Sequence, residues 1–125
     1  MTRALIVDDS SIIQRSLSSV LTGMGCTVVA CGRDGDEGVA LYKLHSPAIT
    51  ILDVTMPNKD GRECLNEILQ FNPKARVVMF SAINHGPVIA ECLKLGALGF
   101  IDKALIGSKE ALVAELSKYI NEPAT

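Results

Sequence analysis

At 125 residues the chain has the length of one ordinary domain, able to bury about two thirds of its unfolded surface, so neither disulfides nor a metal are needed merely for folding. A formal net charge of -2 with no basic cluster argues against direct nucleic-acid binding. Although 48% of residues are hydrophobic, no apolar stretch approaches the roughly 18 residues of a membrane span, and the run after Met1-Thr2-Arg3 is too short for a signal-peptide core. The expectation is a soluble, cytoplasmic protein without a membrane or nucleic-acid partner.

The first apolar run, Ala4-Leu5-Ile6-Val7, reads as a short buried strand and stops on the carboxylate pair Asp8-Asp9. Behind it Ile13, Leu17, Val20, Leu21 and Met24 fall on one helical face. Ser11-Ile12-Ile13-Gln14 has the form of a capping box, and Gly23 and Gly25 supply the stop. After the run Thr27 to Cys31, Asp34 with Glu37 three residues on opens a second helix carrying Val39, Leu41 and Tyr42, which must end before Pro47.

The third run, Ala48 to Leu52, ends on Asp53 and is closed by Pro57, which has no N–H for a ladder. A third helix starts near Asp60, with Glu63 at the same offset, presents Cys64, Leu65, Ile68 and Leu69, and ends at Asn72-Pro73. Val77 to Phe80 follows, ending on Ser81. A fourth helix has Pro87 in its first turn, Val88, Ile89, Cys92 and Leu93 as its inner face, and Leu95-Gly96 as its cap. Leu98 to Ile101 is the last strand, with Lys103 behind it. A fifth helix opens near Ser108 and packs through Leu112, Val113, Leu116 and Ile120.

Five strand–helix repeats of this kind build an α/β domain with a doubly wound parallel sheet, read as one domain over residues 1–125 with no linker or output domain. Cys26, Cys31, Cys64 and Cys92 lack C-x-x-C spacing and read as reduced packing residues. His45 and His85 stand alone, His85 as an exposed loop residue, so a zinc site is not indicated.

Open α/β sheets place ligands outside the carboxyl ends of their strands, and with the first and third strands adjacent, Asp8, Asp9 and Asp53 would converge there. Two carboxylates about 5 Å apart repel by about 3 kcal/mol at an effective dielectric of about 20, so a cation should offset them. Oxygen donors without His or Cys favour a hard divalent ion, and room for water and a phosphoryl group suits magnesium. Lys103 brings an ammonium to the same end of the sheet and Ser81 a hydroxyl. Nucleophile, metal and phosphoryl-oxygen partners together fit formation of an aspartyl phosphate.

Asp8-Asp9 after the first strand, Asp53 in D-V-T-M-P-N-K-D-G, Ser81-Ala82 after the fourth and Lys103 after the fifth resemble a response-regulator receiver domain of the CheY-like, single-domain kind, over nearly the whole chain. The resemblance implies a flavodoxin-like sheet of order 2-1-3-4-5 with five helices. It implies that Asp53 is the phosphoacceptor, that Asp8, Asp9, Asp53 and the backbone carbonyl of Thr55 hold Mg2+, and that Lys103 and Ser81 bind phosphoryl oxygens. Ser81 and Phe100 would be the switch: the hydroxyl moves toward the phosphoryl group and the ring turns inward, altering the face of the fourth helix, fifth strand and fifth helix.

The implied partners are a histidine kinase or phosphotransfer protein and a downstream protein target. The chain would be a monomer, with phosphorylation-dependent dimerisation left open, and would catalyse its own modification without being a conventional enzyme. Chemotaxis, sporulation, phosphorelay and development are all settings open to such a two-component protein.

Two departures stand out. Where the family usually has a cis Lys-Pro, Lys103 is followed by Ala104, so either a strained cis bond is retained or the loop is rearranged. Thr55 and Ile83 occupy positions flanking the attacking water's path in the family, and apolar Ile83 implies slow self-dephosphorylation. Among other functions, a flavodoxin-like FMN carrier would need Gly, Ser and Thr after the first strand rather than two acids. An aspartate-nucleophile phosphatase would need D-x-D there. A pseudo-receiver acting only as an interaction module is disfavoured by the intact acid and lysine set.

Overall fold

The computed structural model describes residues 2–82 and 86–120. Its strands are β1 (Arg3–Val7), β2 (Thr27–Gly32), β3 (Ile49–Asp53), β4 (Val77–Ser81) and β5 (Gly99–Asp102), and its helices are α1 (Ser11–Gly23), α2 (Gly35–His45), α3 (Gly61–Phe71), α4 (Gly86–Leu95) and α5 (Lys109–Ile120). All strand pairings are parallel and the order is β2-β1-β3-β4-β5, the expected doubly wound sheet. Among the described residues no helix is long and apolar enough to cross a membrane.

The sheet is apolar on both faces because both are covered. Leu5, Val7, Leu52, Val77 and Met79 pack with Val39, Tyr42, Cys64, Leu65, Ile68 and Cys92 of α2, α3 and α4. On the other side Ala4, Ile6, Ile49, Ile51, Val78, Phe80 and Ile101 pack with Leu17, Val20, Leu21, Leu112 and Leu116 of α1 and α5. Alternate strand residues thus feed opposite cores, which explains why the inner strands read as continuous apolar runs.

The helix boundaries at Asp34 and Asp60 are as expected: each is an N-cap whose carboxylate accepts the N–H of Glu37 or Glu63. At α1 the cap is Ser10 rather than Ser11. The Ser10 hydroxyl accepts the Ile13 N–H, because the Asp8 carboxylate takes the Ser10 N–H and sets the turn one residue earlier. Gly23 is the last residue of α1, Met24 its C-cap, and Gly25 takes the left-handed conformation at φ 89°.

Leu93 is not part of the inner face of α4. It is 44% exposed, lying about 100° round the helix from buried Cys92. Cys26, Cys64 and Cys92 are buried and free, and burial pushes the Cys64 thiol up to about 12 and that of Cys92 up to about 11, so both pack as neutral groups. Cys31 is the exception, exposed on the edge strand β2 beside the Ser18 hydroxyl.

Backbone lies close against backbone where β3 meets α3. Gly61 donates its N–H to the Val54 carbonyl, and a Cβ there would sit 2.1 Å from the Asp53 carbonyl oxygen. Gly61→Ala should therefore push apart the segment bearing Asp53 and cost about 1–3 kcal/mol in urea unfolding, whereas Gly23→Ala, with nothing within 4 Å, should be neutral or slightly stabilising. Equal effects of the two substitutions would contradict this packing.

Candidate functional site

Four strand ends meet at one edge of the sheet. Val7 leads into Asp8, β3 ends on Asp53, β4 on Ser81, and β5 on Asp102 with Lys103 following. The register sets Val7 beside Leu52, Asp53 beside Phe80 and Ser81 beside Asp102, so these side chains emerge within about one residue of the same level. Asp8, Asp53 and Ser81 are buried polar groups, while Asp9 and Thr55 are exposed. Asp8, Asp9 and Asp53 each offer a carboxylate oxygen, and these atoms lie within 4.8 Å of one another.

The Lys103 ammonium bridges the two buried acids, 3.0 Å from Asp8 Oδ2 and 3.1 Å from Asp53 Oδ1, and lies 5.9 Å from the centre of the Phe80 ring. Asp8 Oδ2 makes no hydrogen bond beyond that ion pair. The aim of Lys103 needs no cis peptide: among the described residues all peptide bonds are trans. The loop is rearranged instead. Residues Lys103–Gly107 form a short 3-10 helix, and the Asp102 carboxylate caps it by accepting the Ala104 N–H, a donor that proline lacks.

Burial first, and then the Asp8 charge, push the Asp53 carboxyl up to about 6, against the opposing pull of Lys103 and of the Thr55 backbone N–H bonded to it. Burial also disfavours the Lys103 ammonium, but its hydrogen bond to Asp8 and the charges of Asp53 and Asp8 outweigh that and hold it above the ordinary lysine value. The pocket is thus over-supplied with negative charge even with one cation in place. An all-oxygen donor set, two acids buried and Asp9 open to solvent, fits a hard divalent ion such as magnesium that keeps part of its water shell.

The backbone around the acids is pinned. Asp8 donates its N–H to the Gly32 carbonyl, its Oδ1 accepts the Ser10 N–H, and the Gln14 amide donates to the carbonyls of both Asp8 and Gly32. Gln14 was legible only as a capping residue, yet it ties the ends of β1 and β2 together. The Ser81 hydroxyl donates to the Ala82 carbonyl at 3.4 Å, and Phe100, half-buried in β5, pairs in register with Met79. Ile83 and His85 lie outside the described residues.

A model of the response regulator receiver domain matches residues 4–117. The chain belongs to that family. It is 38% identical over 119 residues to the chemotaxis protein CheY of Bacillus subtilis (strain 168), covering 95% of this chain and 98% of that protein. It is similar in structure to the CheY chain of the CheX–CheY–BeF3–Mg complex from Borrelia burgdorferi, with a TM-score of 0.87 and 35% identity, covering 94% of this chain and 87% of that one. The response regulator domain of Thermotoga maritima CheB gives a TM-score of 0.86 at 27% identity, with 99% of each chain covered. The flavodoxin-like fold, the strand order and the place of the chain among two-component signalling domains all stand on these likenesses.

Because the receiver's Asp53 binds its proton more tightly folded than unfolded, its contribution to stability falls as pH rises from the ordinary value of 3.8 to about 6 and stays unfavourable above that. Without divalent ions, Asp53→Asn should accordingly be more stable than the parent by about 2–3 kcal/mol at pH 7, the gap closing as pH falls toward about 4. Urea unfolding across that range checks it; a gap independent of pH would contradict it.

Proposed function

We propose that this receiver domain is a phosphoacceptor of a two-component pathway, taking a phosphoryl group onto Asp53 from a histidine kinase or phosphotransfer protein and signalling to a protein target. The observation that carries the reading is the Lys103 ammonium held between Asp8 and Asp53, in a pocket whose acids still exceed its cations. A pocket built only to fold would be cheaper without buried like charges.

Asp8 and Asp9, with Asp53 and the Thr55 carbonyl, would hold Mg2+, which when bound supplies charge neutralisation and a fixed place for phosphoryl oxygens. Asp53 must be ionised to attack, and Lys103 together with the Thr55 N–H stabilises that form against burial. As an Asp53 carboxylate oxygen bonds to phosphorus, the bond from phosphorus to the donor nitrogen breaks and the imidazole leaves with that electron pair. Lys103 then has a phosphoryl oxygen to pair with, and the Ser81 hydroxyl, at the end of the neighbouring strand, donates to another.

Movement of Ser81 toward the new charge would let Phe100 turn inward and reshape the α4–β5–α5 face, shifting a balance between states the free protein already samples. The chain catalyses its own modification rather than turning over a separate substrate. We place it in the cytoplasm, as a monomer when unmodified, with chemotaxis the setting its CheY relatives favour.

Incubation with a small phosphodonor and Mg2+ should add the mass of one phosphoryl group to the intact chain. Asp53→Asn should add none, and Lys103→Ala should be slowed by about tenfold or more. Modification of the Asp53→Asn chain to the same extent would rule the reading out.

A further inference from the structure

The loop joining β3 to α3 carries Thr55, whose N–H is bonded to the Asp53 carboxylate, and it is tied to the start of α2 at its far side. Asn58 sits in the left-handed region at φ 66° and donates its side-chain amide to Asp34 Oδ2 at 2.8 Å. The other oxygen of Asp34 accepts the Glu37 N–H as the cap of α2. One residue on, Gly35 donates its N–H to the Lys59 carbonyl at 2.9 Å, an approach so close that a Cβ on Gly35 would lie 2.3 Å from that oxygen. Lys59 also pairs with Asp36 at 3.2 Å.

Asp34 and Pro57 line an open cleft of about 490 Å³ together with Asp9, so the tie lies along the exposed side of the acidic pocket. The Glu37 N–H, and after it the Asn58 amide, hold the Asp34 carboxyl below the usual carboxylate range, as expected of an acceptor committed to two donors.

We propose, on the reading of Asp8, Asp9 and Asp53 as a divalent-ion site, that Asn58 and Asp34 are positioning residues: their hydrogen bond latches the loop bearing Thr55 to the start of α2 and sets how tightly the ion is held. The reason is geometric. Thr55 reaches the pocket through its backbone, so its contribution depends on where the loop is fixed and not on its own side chain. The sheet fixes the Asp53 end and the Gly61 N–H to Val54 carbonyl bond fixes the other, leaving the excursion between them to be placed by the contacts at residues 58 and 59. By linkage the effect runs both ways, so ion binding at the pocket tightens the turn that opens α2.

Two substitutions remove the latch while sparing the backbone. Asn58→Gly accepts the positive φ without strain and deletes the amide. Asp34→Ser keeps a helix cap and deletes the second oxygen. Mg2+ affinity would be measured by calorimetry on the full chain for the parent, both single variants, the double variant and Asp8→Asn, with amide exchange of Gly35 followed by NMR.

Each single variant should bind Mg2+ about three- to tenfold more weakly, and the double variant no more weakly than the worse single. Saturating Mg2+ should slow Gly35 exchange in the parent by a matching factor and leave it unchanged in the variants, a response that a purely structural role would not produce. If the parent binds Mg2+ and Asp8→Asn does not, but both latch variants bind as the parent does, the latch is overturned. Losses that add in the double variant overturn it as well. A parent that does not bind Mg2+, or an Asp8→Asn chain that binds it equally, overturns the ion-site reading and the latch with it.

Discussion

The structure turns on one contact set: a single lysine ammonium shared by two buried aspartates, with a third carboxylate close by. Lys103 reduces the repulsion of Asp8 and Asp53 without cancelling it, and burial first, with the remaining repulsion second, lifts the proton affinity of Asp53. Such a pocket stores a preference. A hard cation placed beside the three acids would lower that repulsion further.

The scaffold makes this possible by topology and then by close approach. Strands β1, β3 and β4 adjoin in the sheet, so acids 45 residues apart in sequence share one edge, and the apolar cores on both sides keep the strand ends from yielding. Gly61 and Gly35 allow backbone to lie against backbone where the acid-bearing loop folds back. Gln14 joins the ends of β1 and β2 through two carbonyls. The site is therefore held from the backbone outward, with Asp9 its solvent-exposed acid.

Most of this was legible from the chain alone where the signal is local or periodic. Runs ending on Asp8, Asp53 and Ser81 marked the strand ends, and the Asp34–Glu37 and Asp60–Glu63 offsets marked caps that the structure contains. Strand order was not in the periodicity and came from likeness to receiver domains. The misreadings are also physical. A serine pair hid the true cap, because the local turn in which the Asp8 carboxylate accepts the Ser10 N–H decides between Ser10 and Ser11. Leu93 and Cys31 have apolar neighbours in sequence but stand at the outer flank of a helix and on an edge strand. Gln14 and Asn58 act through partners 18 and 24 residues away, a distance at which no spacing rule operates. The absence of proline after Lys103 left a cis bond or a rearranged loop as alternatives, and the Asp102-capped turn is the rearranged loop.

The account stands on the charge state of one carboxyl in that shared pocket, and carbon NMR can read it directly. The Asp53 carboxyl signal, followed against pH, should titrate near 6 without divalent ions and move well below the ordinary carboxylate range when Mg2+ is saturating. An Asp53 that titrates at the ordinary value and does not respond to Mg2+ would mean that the three acids do not form one electrostatic unit, and the functional reading would fall with it.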